Sequence, residues 1–169
     1  GSSFAVSADG VLLSQAKSFN EELHIIDLHL SKRIKCLPVS REEEIFNALC
    51  LGVKDYFSKT NHKKAIIGLS GGIDSALVAS IAVNALGNKN VYGFSLPSKF
   101  SSEHSLNDAK ELASNLEIEP QVIKIHSLVS NFNTTLKTEF EKQRSDIAEE
   151  NIQSRVRGSL LMTLANMYG

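Results

Sequence analysis

Three short apolar runs, each followed by a segment of helical period, constrain this chain more than any other feature. Ala65–Leu69 leads into Ile73–Leu86, Asn90–Leu96 into Ser101–Leu116, and Gln121–His126 into Leu128–Glu141. The first helical segment stops at Gly87 and the second run stops at Pro97. Helix-length connections between strands exclude simple hairpins and demand crossovers. The expected fold is therefore α/β, a parallel sheet with helices on both faces, built from right-handed βαβ units. A helix over Arg41–Lys59 precedes it, opened by Ser40 and Glu43 as a capping box, with Ile45, Leu49, Val53 and Phe57 as its apolar stripe. A last helix over Ile147–Met167 carries Ile152, Val156, Leu160, Leu161 and Leu164 on one side. Part of that helix, Ile152–Leu164, is also a candidate interface with a second copy of the chain.

The first thirty residues read differently. Ser3–Val6, Val11–Ala16 and Leu23–Leu30 are β-prone, and Asp9-Gly10 predicts a type I′ hairpin turn. Ser31–Ser40, with Pro38, is a polar connector. The expected division is thus residues 1–37, a short β segment of a second domain with its linker, and residues 38–169, the α/β domain.

Composition closes off other classes. The apolar share of 42% over 169 residues excludes a disordered chain. No apolar run approaches the ~20 residues of a membrane-spanning helix. A net charge of −1 gives no footprint for nucleic acid. Cys36 and Cys50 match no zinc or redox spacing and read as a linker residue and a core thiol, reduced in a cytoplasmic setting. No two histidines have ligand spacing on one element.

The chemistry-bearing segment is Gly68-Leu69-Ser70-Gly71-Gly72-Ile73-Asp74-Ser75, where the first parallel strand runs into a helix. In an open α/β sheet this carboxyl edge is where ligands bind. Adjacent glycines let backbone N–H groups approach an anion, and the helix N-terminus adds free N–H groups and its dipole. Ser70 and Ser75 add hydroxyls, so the segment is suited to phosphate. Asp74 would repel phosphate unless a divalent cation lay between them, which implies Mg²⁺. The alternative is a glycine-rich turn without a ligand. The mononucleotide P-loop does not fit, because no lysine follows Gly72; the dinucleotide fingerprint fails at Ser70 and Ile73.

The Ser-Gly-Gly-x-Asp-Ser pattern resembles the pyrophosphate loop of the N-type ATP pyrophosphatases, which have an adenine-nucleotide α-hydrolase-like fold. Two further segments, Leu96-Pro97-Ser98-Lys99-Phe100-Ser101-Ser102 and Glu149-Glu150-Asn151-Ile152-Gln153-Ser154-Arg155-Val156-Arg157-Gly158, are similar to glutamine-dependent NAD synthetase within that superfamily. Residues 1–30 resemble the closing strands of the nitrilase-like glutaminase domain that precedes the synthetase domain. Three positions depart from the family pattern. Lys99 and Phe100 stand for arginine and tyrosine. Glu117 stands where glycine is usual, so Asn115 is expected to supply that turn.

The resemblance implies that Gly68, Leu69, Ser70, Gly71, Gly72, Ile73, Asp74 and Ser75 hold the ATP triphosphate, with Asp74 on Mg²⁺. It places Leu96 and Ser98 near the adenosine, and Asn151, Arg155 and Arg157 on nicotinic acid adenine dinucleotide or ATP phosphates. The implied reaction is ATP-dependent amidation of that dinucleotide to NAD⁺ through an acyl-adenylate. Ammonia comes from glutamine, AMP and pyrophosphate are released, and the whole enzyme is a homo-oligomer. The alternatives are another ATP-pyrophosphatase ligase such as GMP synthetase, or an inactive nucleotide-binding or structural piece. Both chain ends read as cut, and the glutaminase residues of the family have no counterpart here. The isolated chain is accordingly expected not to make NAD⁺ by itself.

Overall fold

The computed structural model describes residues 1–27, 34, 39–99, 101–142 and 146–168. Cys36, Pro38, Phe100 and the end of the expected third β run lie outside the described residues. The chain divides into two compact units, Gly1–Gly52 and Val53–Gly169.

The first unit is built on an antiparallel hairpin of β1 (Phe4–Val6) and β2 (Leu12–Gln15). Its turn is not type I′. Gly10 alone in the loop has positive φ, at 76°, and its N–H donates to the Ser7 carbonyl at 3.0 Å. The register then jumps from Ala5–Ser14 to Val6–Leu12, placing one extra residue on β2. The Ser7 N–H also bonds the Val11 carbonyl at 2.8 Å, which leaves Ala8, Asp9 and Gly10 as the loop, and a single left-handed glycine with a bulge fits three residues better than a two-residue turn does.

The third β run does not form over its described part. Leu23 and Ile25 are 89% and 95% exposed, and among the described residues nothing pairs with their backbone. Side chains hold the segment instead. The Lys17 backbone N–H donates to Glu22 Oε2 at 2.8 Å, and His24 lies 2.9 Å from Glu22 Oε1 and 2.7 Å from Ser14 Oγ. The Lys17 N–H, and after it His24, hold the Glu22 carboxyl below its usual range.

Helix α1 (Arg41–Lys59) has the expected bounds, and Ser40 Oγ accepts from the Glu43 N–H at 3.1 Å. Its inward stripe differs from expectation. Phe46, Cys50, Val53 and Phe57 are half-buried, while Ile45 and Leu49 are 49% and 47% exposed. Steps of four residues drift about 40° each around a 3.6-residue helix, so four such positions do not share one face.

In the second unit β3 (Ala65–Gly68), β4 (Val91–Ser95) and β5 (Pro120–Val122) form a parallel sheet with β4 in the middle. Ala65 pairs with Val91 and Gly93 with Pro120. The helices are α2 (Ile73–Leu86), α3 (Glu103–Asn115), α4 (His126–Thr135), α5 (Lys137–Lys142) and α6 (Asp146–Tyr168). Alternation along the strands separates two cores. Ile67, Leu69 and Val91 meet Ala79 and Ala82 of α2 and Ala109 and Ala113 of α3. Phe94, Leu96 and Ile125 meet Val156, Leu160, Leu161 and Leu164 of α6 and Val129 of α4. The helices therefore cover both faces, and Phe94 at 1% exposure contributes about 2 kcal/mol by burial. The apolar stripe of α6 is spent on this sheet, so Ile152–Leu164 is not the exposed partner face that its pattern also permitted.

Two expected elements are cut short. The strand expected over Gln121–His126 ends at Val122. The Ile123 and Ile125 N–H groups still bond the Ser95 and Pro97 carbonyls, but His126 already begins α4. The helix expected over Leu128–Glu141 breaks at Leu136. Thr134 and Thr135 turn their hydroxyls back onto the Ser130 and Asn131 carbonyls, at 2.9 Å each, which weakens the helix there.

Glu117, not Asn115, supplies the turn after α3. Its φ is 54°, its N–H bonds the Ser114 carbonyl, and the Ile118 N–H reaches back to Ala113. These two bonds make a Schellman cap with glutamate in the left-handed position. Glu117 Oε2 in turn accepts from Asn88 Nδ2 at 3.1 Å. Relieving a left-handed non-glycine residue outweighs losing one exposed hydrogen bond. Glu117→Gly is expected to raise unfolding free energy by about 0.5–1 kcal/mol in urea titrations; a loss of stability would show that the Asn88 bond dominates.

Candidate functional site

The site forms where β3 leaves the sheet. The Leu69 N–H still bonds the Phe94 carbonyl at 2.8 Å, and then the chain turns through Ser70-Gly71-Gly72 into α2. The turn braces itself. Ser70 Oγ donates to Ser75 Oγ at 3.0 Å and accepts from the Gly72 N–H at 3.2 Å, while Ser75 Oγ donates to the Gly72 carbonyl at 2.8 Å. The two hydroxyls read from sequence as phosphate donors thus also shape the loop.

Space requires glycine at position 71 and is tight at Gly68. Gly71 has φ +80°, and a Cβ there would stand 2.3 Å from the Ser105 carbonyl oxygen and 2.8 Å from Ser105 Cα. A Cβ on Gly68 would stand 3.1 Å from Leu161 Cδ1. The loop is therefore seated on the first turn of α3, whose N-cap Ser102 accepts from the Ser105 N–H at 3.2 Å. Gly72 caps α2 without a side-chain bond, so the first-turn N–H groups of Ile73 and Asp74 have no cap. Asp74 is exposed and is the one carboxylate within Gly68–Ser75.

Beside the loop lies a cavity of about 360 Å³. Gly68, Leu69 and Ser70 form one wall, Leu96 and Pro97 another, and Ser101 and Ser105 of the α3 start a third. Arg157 of α6 is the charged residue on its surface, and its Nε donates to the Leu96 carbonyl at 3.1 Å. A mostly apolar hollow with one cation and a glycine-rich helix N-terminus suits a nucleotide: an apolar base at one end and anionic phosphate at the other.

Not every residue singled out in the sequence meets here. Ser98 lines a neighbouring hollow of about 210 Å³ with Lys99, His126, Asn133 and Gln153. Asn151 and Arg155 are exposed on α6 and line neither hollow. Ser101 and Ser105 escaped the sequence reading as site residues. The Ser-x-x-Ser spacing of Ser102 and Ser105 signals the cap of α3, but it does not place Ser101 or Ser105 beside the loop. Among the described residues no three His, Cys, Asp or Glu side chains cluster as a metal site. Asp74 alone still fits Mg²⁺, because that ion takes one or two carboxylates together with substrate phosphates.

A parallel sheet whose first strand opens through a glycine-rich turn onto a helix N-terminus defines an α/β fold of the nucleotide-binding kind. The family model for NAD synthase matches residues 45–169, and the chain belongs to that family. It is 45% identical over its whole length to the glutamine-dependent NAD(+) synthetase of Synechocystis sp., covering 31% of that protein. To the enzyme of the same name from Thermotoga maritima it is 38% identical, covering 36%. The structure of glutamine-dependent NAD+ synthetase from Acinetobacter baumannii, in complex with adenosine diphosphate, superposes with a TM-score of 0.88 at 37% identity, over all of this chain and 33% of the other. NMN synthetase from Francisella tularensis gives 0.68 at 29% identity, over 78% of this chain and 52% of the other. The chain spans about a third of the length of the glutamine-dependent relatives it matches.

Proposed function

We propose that this chain carries the ATP-binding part of an enzyme that amidates nicotinic acid adenine dinucleotide to NAD⁺. The observation that carries the reading is the meeting of Gly68, Leu69 and Ser70 with Leu96 and Arg157 around one cavity at the carboxyl edge of the sheet. On this reading Gly68–Ser75 takes the triphosphate, Leu96 and Ser98 lie near the adenosine, and Asn151 and Arg155 face the dinucleotide.

The chemistry needs activation, since a carboxylate offers ammonia no viable leaving group. The nicotinate carboxylate oxygen attacks the α-phosphorus of ATP, and the bond to the bridging oxygen of pyrophosphate breaks. Ammonia then attacks the acyl carbon, a proton is lost, and AMP departs to leave the amide. Backbone N–H groups at the start of α2 meet the charge that develops on pyrophosphate. Asp74 would hold Mg²⁺, which neutralises the phosphate oxygens when bound. The work is positioning and charge stabilisation rather than proton transfer by a poised side chain.

In the whole protein, residues 1–37 read as the end of a nitrilase-like glutaminase domain that supplies ammonia from glutamine, and 38–169 as the first part of the synthetase domain. A cytoplasmic homo-oligomer is the accompanying expectation. Exposed Leu77 and Val78 on α2 support a partner surface. Pyrophosphate release by the whole protein, measured with each acceptor in turn, tests the reading. Release with nicotinic acid adenine dinucleotide is expected. Release with xanthosine monophosphate alone would assign the chain to a different ligase.

A further inference from the structure

Neighbouring carbonyls at the end of β4 find partners in alternating directions. Phe94 O accepts from Leu69 just past β3, while Ser95 O and Pro97 O accept from Ile123 and Ile125 beyond β5. In a parallel ladder successive residues face opposite neighbours, so Leu96 O faces the β3 side. No strand remains there, because β3 has turned away into Ser70-Gly71-Gly72. A carbonyl left without a partner at this buried edge would lose its hydrogen bond to water with nothing in its place. Arg157 fills the place, its Nε donating to Leu96 O at 3.1 Å. On the other strand the buried Ser95 hydroxyl takes Leu69 O at 3.2 Å. Two side chains thus replace the ladder where the strands part, and the cavity opens in the gap they hold.

We propose that Arg157 is a positioning residue for nucleotide recognition. It substitutes for the missing strand at Leu96 and fixes the Leu96-Pro97 wall, against which the base and ribose rest. Its helix makes that support rigid, since Val156, Leu160 and Leu161 on either side of it pack on the sheet. Arg155, two residues earlier, is exposed and has no such role. The phosphate half of the site stands independently, because Ser70, Gly72 and Ser75 brace one another and Gly71 rests on Ser105. This inference rests on the nucleotide reading of the cavity, and it separates the two halves of the ligand.

Adenosine and inorganic pyrophosphate are the probes, titrated calorimetrically into the whole protein. Arg157→Ala is expected to weaken adenosine about tenfold or more, while pyrophosphate stays within about twofold. Arg157→Lys keeps one donor for the carbonyl and should bring adenosine back to within about threefold of wild type. A pyrophosphate loss with adenosine unchanged would make Arg157 a phosphate ligand and overturn the proposal. Equal loss of both, or no loss of either, would overturn it too. If Arg157→Ala does not fold, Arg157→Lys decides: adenosine within about threefold upholds the proposal, and a tenfold loss sinks it. Wild-type protein that binds neither probe would remove the nucleotide reading itself, and the proposal with it.

Discussion

Gly71→Ala is expected to abolish ATP-dependent turnover and to destabilise the second unit. The added methyl would stand 2.3 Å from the Ser105 carbonyl oxygen, a backbone atom at the seated first turn of α3. Either the loop lifts off α3 or α3 moves, and both displace the N–H groups proposed to meet phosphate. The left-handed φ of +80° adds its own penalty of about 1–2 kcal/mol. Gly72→Ala is the matched control. Gly72 has φ −90°, and its added Cβ would meet only Ser70 Oγ, at 3.3 Å. Stability there should change by about 0.5 kcal/mol or less. Urea unfolding and ATP titration of both variants check this. Wild-type affinity in Gly71→Ala would show that the loop is not clamped on α3.

Asp74→Asn is expected to lower turnover by about two orders of magnitude or more at ordinary Mg²⁺, with the fold intact. The amide keeps the shape and removes the only negative charge in Gly68–Ser75, so no neighbour in the loop can substitute. Asp74 lies exposed in the first turn of α2, where losing its charge costs about 0.3–1 kcal/mol of helix-dipole interaction. Turnover measured across a Mg²⁺ series, beside a thermal melt, separates the two effects. Wild-type turnover at ordinary Mg²⁺ would remove Asp74 as the metal ligand.

The architecture of the second unit was legible because its signals are local. Strand and helix periods, Gly87 and Pro97 mark the elements before any contact is known. What escaped the sequence depends on partners far along the chain. The Leu23–Leu30 run has a strand's composition, but pairing decides whether a strand forms, and its described part has none. Glu117 holds a left-handed cap because Ala113 and Ser114 carbonyls and Asn88 surround it, against the preference of its own side chain. The loop of the site was readable as a motif, since its glycines and hydroxyls act within eight residues. Its second wall was not. Arg155 and Arg157 look alike in sequence, and only the packing of Val156 on the sheet sends one to solvent and the other to Leu96. Ser101 and Ser105 enter the site through the approach of α3 to Gly71, which no spacing along the chain records.

On the proposed reading the α-phosphorus of ATP, held at the loop, receives the substrate carboxylate. Nicotinic acid adenine dinucleotide carrying ¹⁸O in its carboxylate, turned over by the whole protein with ATP and ammonia, reports this by mass spectrometry of the products. One ¹⁸O is expected in AMP and none in pyrophosphate. Label in inorganic phosphate with ADP as co-product, or unlabelled AMP, would contradict it.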